Sequence, residues 1–383
     1  MGRLNRAGLA RMQDVLQSHI DARRIPGAVA VVALGGHVEY LGSLGQRDAA
    51  AGDAMKDDAI FRIYSMTKPL VSLAALMQAE EGGLQLGDPV SKYLPEFSDL
   101  QVAVEEGGVI RRLDAARREP TVHDLLRHTA GFTYEFLGSS AVQRKYESAD
   151  ITNRSRTNAE FCKVLAALPL AHQPGSCWEY SRATDVLGAV VEVVDGRPLG
   201  ESLRRRIFDP LGMKDTHFAT PPSEWHRLAE PFAEDPDTGK PVVMLDAKEV
   251  PAYESGGGGL MSTAGDYTRF LQLMRNRGSL DGTRLVSRKT VEWMTSDHLG
   301  TIAANGELLL PGYGFGLGFA VRLAAGLAPQ PGSPGQYFWS GIGGTSFFVD
   351  PAEDLFAMLL TQAPNQRIYF RNLFRHLVYA ALD

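Results

Sequence analysis

Apolar positions along the chain fall into two strand-like groups near the ends and a helical stretch between them. Leu9, Met12, Leu16 and Ile20 recur at helical spacing within residues 1–24 and predict an amphipathic surface helix. Residues 28–34 and 38–41 are short, valine-rich runs split by Gly35-Gly36, the pattern of a hairpin. Strand-like runs return at 336–340, 345–349 and 355–360, with Gly343-Gly344 and residues 351–354 as turns. In the last stretch, 365–382, Ile368, Phe370, Leu373, Leu377 and Val378 lie at roughly helical spacing. Residues 70–81, 122–127, 159–168, 184–194 and 203–211 read as helices broken by Gly and Pro.

Strands at both ends around a helical middle predict an α/β (α+β) chain. One antiparallel sheet draws on both termini, flanked by helices, and a helical domain is inserted between them. The expected division is 1–63 with 240–383 for the sheet domain and 64–239 for the helical domain.

Composition narrows the function classes. The chain has 383 residues, of which 44% are hydrophobic and 22% charged, as in globular proteins and unlike disordered or collagenous chains. A net charge of -6 argues against nucleic acid, whose phosphates need a basic face. The densest basic run, Arg204-Arg205-Arg206, reads as a solvated helix face. Two cysteines, Cys162 and Cys177, cannot build a disulfide framework and point to a reducing compartment. Arg3, Arg6, Arg11 and Asp14 interrupt the N-terminal segment, and no run reaches the ~18 apolar residues of a membrane span. A cytoplasmic protein with no membrane partner is expected.

The chemistry concentrates at Tyr64-Ser65-Met66-Thr67-Lys68. A serine and a lysine three residues apart share one face of a helical turn. A serine hydroxyl attacks poorly until a base takes its proton, and a buried lysine with a lowered pKa can be that base. Pro69 is compatible with a helix here only if Ser65 sits at its first turn. Ser-x-x-Lys arises by chance on the order of once in a chain this long, so a capping serine beside an exposed lysine would look the same.

Two further segments gain meaning from their order. Tyr180, after Pro174-Gly175 and before a predicted helix, sits where a hydroxyl can face a cleft and carry a proton. A buried tyrosine tied to backbone is the alternative. Trp339-Ser340-Gly341-Ile342 ends a predicted strand, whose edge can offer a backbone N–H to an oxyanion. One such donor lowers a barrier by ~2.7–4 kcal/mol. A buried sheet tryptophan is again the alternative.

Taken together, Ser65-x-x-Lys68, Tyr180-Ser181 and Trp339-Ser340-Gly341 resemble the serine β-lactamase and penicillin-binding-protein superfamily. The likeness is greatest to its class C β-lactamase-like branch, which includes the family VIII carboxylesterases. Asp124-Leu125-Leu126-Arg127-His128-Thr129-Ala130-Gly131, Pro210-Leu211-Gly212-Met213 and Tyr313-Gly314-Phe315-Gly316 match the branch's phrasing as well. The resemblance implies that Ser65 is the acylated nucleophile, Lys68 its base and Tyr180 a second proton carrier. It implies an active site in the cleft between the two domains, an oxyanion hole from the N–H groups of Ser65 and Ile342, and a structural part for His128. Trp339, Ser340, Gly341, Tyr134 and Tyr253 are the candidate substrate-binding residues, with Trp225 a further aromatic candidate for the cleft wall.

Departures from the resemblance sharpen the reading. Arg182 stands where β-lactamases of the branch have Asn, and Trp339 where they have Lys. Without that lysine, neutral small-molecule esters are favoured over carboxylated β-lactams or D-peptides, and the resemblance implies short acyl chains. The rival uses are acyl transfer, β-lactam or D-peptide hydrolysis at the same site, or non-catalytic ligand binding. No cofactor or metal is expected, because the nine histidines are scattered and no His-Glu-x-x-His occurs. The run Gly256 to Gly259 reads as a tight turn where the backbone passes close to another group.

Overall fold

The computed structural model describes residues 2–383, so Met1, the first residue of the predicted N-terminal helix, lies outside the described residues. That helix runs Arg6–Asp21, and Asn5 caps it by accepting the N–H groups of Ala7 and Gly8. Both chain ends build one eight-stranded sheet. Its spatial order is Tyr313–Phe315, Ala320–Arg322, Tyr337–Ser340, Ser346–Asp350, Leu355–Leu360, Gly27–Leu34, His37–Asp48 and Asp53–Ala54. Every pairing is antiparallel.

The seam between the termini lies at the sheet's centre, where Val31 pairs with Met358 on one side and Leu41 on the other. From Gly27 to Ala33 every residue is buried, so this strand is covered on both faces and reads as a continuous apolar run. The helices Arg6–Asp21 and Arg367–Tyr379 pack on one another and on the sheet. Helix Ala264–Arg275 packs on the two central strands.

The middle of the chain is mostly helical, and helices Thr67–Glu80 and Ala183–Asp195 pack together at its heart. Thr67 through Gln78 is buried at every position, because Leu70 to Met77 is apolar on nearly all faces. Pro69 is the third residue of this helix, where an N–H has no intrahelical partner in any case.

The structure adds features that the apolar pattern did not predict. A hairpin, Gln101–Glu106 with Val109–Ala115, lies inside the helical region. Its outward positions carry Glu105, Glu106, Arg111 and Arg112, so little apolar alternation marks it. Strands Tyr313–Phe315 and Ala320–Arg322 span three residues each, too few to show a period. The predicted helix at 203–211 is a composite of Leu199–Leu203, a π-helical stretch Arg204–Phe208 and Asp209–Leu211. Within the basic triplet, Arg206 is ion-paired with Asp195 at 2.5 Å. No described helix is long and apolar enough to cross a membrane.

Candidate active site

Strand Ile60–Arg62, paired with Met261–Thr263, delivers the chain into a 3₁₀ turn, Tyr64–Met66, that runs straight into helix Thr67–Glu80. Ser65 occupies the middle of the turn. Tyr64 before it has φ +44°, a left-handed conformation that costs a non-glycine residue about 1–2 kcal/mol. Its hydroxyl holds it there by accepting the Leu245 N–H at 2.7 Å. The bend turns Ser65 toward a cavity of about 710 Å³.

Lys68, one turn on, is wholly buried. Its Nζ lies 3.3 Å from Ser65 Oγ, 2.9 Å from the Tyr134 hydroxyl and 2.6 Å from the Gly257 carbonyl oxygen. Burial is the largest influence on Lys68 and pulls its pKa down to about 7; nearby Arg182 adds to this and Asp185 opposes it. A neutral amine has two N–H donors and one lone pair. The Gly257 carbonyl can only accept, and Tyr134 can take the second N–H. The lone pair is then left for the Ser65 hydroxyl proton.

Tyr180 lies in the loop before helix Ala183–Asp195. Its hydroxyl faces Ser65 and accepts the Trp339 Nε1–H at 3.2 Å. Lys68 Nζ sits 4.5 Å from the centre of its ring. Burial raises the Tyr180 pKa, against the lowering effect of the Ser65 and Trp339 contacts. The group is therefore a neutral phenol near pH 7. His128 is buried behind this ring, 4.9 Å between centroids, with Nδ1 3.3 Å from Ser181 Oγ. It does not line the cavity.

Trp339 and Ser340 close the strand Tyr337–Ser340, and the chain turns at Gly341 and Ile342. The Gly341 N–H donates to the Thr345 carbonyl at 2.8 Å, which holds the turn. Among the described residues neither the Ser65 nor the Ile342 N–H meets an acceptor in the chain. Both residues line the cavity. Two free backbone donors beside a serine are the elements of an oxyanion hole.

The glycine run does make a close approach. A Cβ on Gly257 would sit 2.5 Å from Asp185 Oδ2, and one on Gly256 would sit 2.6 Å from the Thr184 carbonyl oxygen. Asp185 accepts the Gly257 N–H at 2.9 Å and the Ser255 hydroxyl at 2.5 Å, which fixes the carbonyl that meets Lys68. Arg182 pairs with Glu135 and, at 3.6 Å, with Asp185. The departure from the resemblance at this position is thus an ion-paired part of the wall.

All the cavity-wall candidates except Trp225 gather here. Trp339, Ser340, Gly341, Tyr134 and Tyr253 line the cavity. Tyr134 reaches further than a wall residue, since its hydroxyl meets Lys68. Trp225 is a correction: it lies away from the cavity, its Nε1 donating to the Thr220 carbonyl at 2.9 Å beneath Lys248. It lies on a surface 3₁₀ helix, Pro222–Arg227, that Pro221 and Pro222 begin. Gly257, Asp185 and Arg371 are site residues that sequence reasoning did not single out as such; only the glycine run left a signal.

The β-lactamase family model matches residues 12–380. Esterase EstB of Burkholderia gladioli is 36% identical over 375 residues, covering 92% of this chain and 90% of that protein. The lovastatin esterase of Penicillium rubens is 31% identical over 303 residues, covering 76% and 74%. Among solved structures, EstCE1, described as a hydrolase with promiscuous acyltransferase activity, superposes with a TM-score of 0.80 at 30% identity. It covers 97% of this chain and 98% of its own. With Ser65 lining the cavity and a family match over nearly its whole length, the chain belongs to the β-lactamase family.

Proposed function

We propose that this protein is a carboxylesterase-type serine hydrolase of the class C β-lactamase-like branch, like the family VIII esterases, working through an acyl-enzyme on Ser65. The observation that carries the reading is the buried amine of Lys68, 3.3 Å from Ser65 Oγ and lowered to about 7. Lys68 takes the Ser65 proton as Oγ attacks the ester carbonyl. The tetrahedral oxygen is received by the Ser65 and Ile342 N–H groups. Tyr180, a neutral phenol, donates its proton to the departing alcohol and recovers one from Lys68. Water then attacks the acyl-enzyme by the same route in reverse and releases the acid.

Relatives named as esterases support the substrate class. The cavity has room for a short acyl chain beside a larger alcohol. The sheet domain at 1–63 with 240–383 and the helical domain at 64–239 belong to this reading, with the site between them. So does a cytoplasmic location, supported by two free cysteines.

The test compares kcat/KM for p-nitrophenyl butyrate with that for a chromogenic cephalosporin, with Ser65→Ala as blank. The expected result is ester turnover that vanishes in Ser65→Ala, with little cephalosporin cleavage. Ester turnover that survives Ser65→Ala would overturn the mechanism. Acyl transfer is a second use of the same intermediate, favoured by the likeness to EstCE1. Adding an alcohol acceptor and analysing the products separates the two.

A further inference from the structure

Outside the cavity, four polar side chains meet on the segment that leads to Tyr180. Gln173-Pro174-Gly175-Ser176 is a tight turn: the Ser176 N–H donates to the Gln173 carbonyl at 3.0 Å, and Gly175 has φ +82°. Proline second and glycine third suit a type II turn, whose third residue needs a positive φ. The turn folds His172 back against Cys177, and the two side chains hydrogen-bond. His172 Nε2 also meets Glu179 Oε2 at 2.5 Å. Asn305, from a distant loop, donates to the same carboxylate oxygen at 2.6 Å.

The arrangement is that of a thiol, a base and an orienting carboxylate. Contact with Cys177, then with Glu179, raises the His172 pKa to about 10 against the effect of burial. The ring is therefore a cation at neutral pH, and a cation beside a sulfur favours the thiolate, the nucleophilic form. Cys177 and His172 are both partly exposed, so a small reagent reaches the sulfur. The second thiol, Cys162, provides the contrast. It is wholly buried in helix Asn158–Ala166, and burial, then Glu96, Glu192 and Asp185, pushes its pKa well up. The proposed ester mechanism uses neither thiol.

We propose that Cys177 is a thiol–disulfide exchange site, its sulfur activated by the His172 ring, and that a mixed disulfide there slows the enzyme. The Cys177 thiolate attacks one sulfur of a low-molecular-weight disulfide, and the new S–S bond forms as the old one breaks. Cys177 is oxidised, the departing half leaves as a thiolate that takes a proton from water, and excess thiol reverses the exchange. Tyr180 lies three residues on. Trp178, between them, is wholly buried, its N–H donating to the Ala303 carbonyl at 2.8 Å and its carbonyl accepting the Asn305 N–H at 2.7 Å. Leu308, three residues past Asn305, lines the cavity. A bulky adduct on Cys177 parts the sulfur from His172 and strains both segments, the one that places Tyr180 and the one that walls the cavity. The effect on turnover rests on the esterase reading above; the exchange itself does not.

The test incubates the whole protein with oxidised glutathione, reading adducts by peptide mass spectrometry and activity with p-nitrophenyl butyrate. The expected result is glutathione on Cys177 and not on Cys162, with kcat/KM lowered about tenfold or more and restored by dithiothreitol. Cys177→Ser should keep its turnover under the same treatment. No adduct on Cys177, or an adduct that leaves kcat/KM unchanged, overturns the proposal. Activation by the ring is read as the rate of Cys177 alkylation by iodoacetamide at about pH 6, where a free thiol is almost wholly protonated. That rate should exceed the rate for N-acetylcysteine by about tenfold or more and fall toward it in His172→Gln. A wild-type rate no faster than that of N-acetylcysteine overturns the activation without any variant having to fold. If the protein cleaves no ester, the esterase reading fails alone, and the adduct and the alkylation rate still decide the exchange site.

Discussion

Trp339 Nε1 donates a hydrogen bond to the Tyr180 hydroxyl, 3.2 Å away and 159 residues distant in sequence. The bond fills one lone pair of the phenol oxygen and aims its O–H away from the sheet, toward the cavity. Trp339→Phe keeps most of the ring's packing and removes only this donor. A neutral hydrogen bond contributes about 1 kcal/mol, so kcat should fall about five- to tenfold with little change in KM. An unchanged kcat for p-nitrophenyl butyrate would show that the bond does not orient Tyr180.

In the proposed mechanism Lys68 sets the pH dependence. The base must be neutral to accept a proton, and its pKa is about 7, so kcat/KM should rise with pH through an acid limb centred near 7. The stability effect has a determined sign too. Because the folded pKa lies below the unfolded value near 10.5, the unfolded chain binds more protons between the two values, and stability rises with pH across that window. Below pH 7 the cost of burying the charge is felt in full. Lys68→Met should therefore gain more in Tm relative to wild type at pH 6 than at pH 9. Thermal melts at both pH values read this difference.

Tyr134 acts on Lys68 through its hydroxyl, 2.9 Å from Nζ. Tyr134→Phe removes an acceptor that favours the charged amine, so the acid limb of kcat/KM should shift to lower pH. A purely structural tyrosine would change activity without moving the limb. A pH profile of the variant against wild type distinguishes the two.

Gly257 tolerates no side chain. Asp185, which a new Cβ would meet at 2.5 Å, cannot swing away because it is buried and bonded to Ser255 and to the Gly257 N–H. Gly257→Ala should cost about 1–3 kcal/mol in denaturant unfolding, as overpacking does, and displace the carbonyl that meets Lys68. Activity should fall further than stability alone accounts for. Gly52→Ala is a contrasting variant, since no atom lies within 4 Å of a Cβ there, although its φ of +74° carries its own smaller cost.

Arg182→Asn installs the residue that β-lactamases of the branch carry. Here it would leave Glu135 and Asp185, both largely buried, without their guanidinium partner. Breaking a buried ion pair from one side costs about 3–5 kcal/mol, so the variant should be strongly destabilised rather than gain cephalosporin cleavage. Chemical denaturation and a cephalosporin assay together check it.

How much was legible in the sequence follows from the range of each interaction. The two-ended sheet showed in the apolar runs at 28–34, 345–349 and 355–360, because strands covered on both faces need continuous apolar residues. Ser65 and Lys68 were legible because three residues along one turn fix their contact locally. The exposed hairpin at Gln101–Ala115 was not, since half its positions face water and carry charge.

The sequence by itself determined the Ser65-x-x-Lys68 spacing, the order of the three motifs and the family they resemble. The tertiary structure alone decided what surrounds the lysine: a tyrosine 66 residues away and a glycine carbonyl 189 residues away close over Lys68, and their burial of the amine lowers its pKa. It also brought Arg371 to Ser340. Desolvation and charge pairing depend on which distant side chains exclude water from a given atom, and no local spacing encodes that.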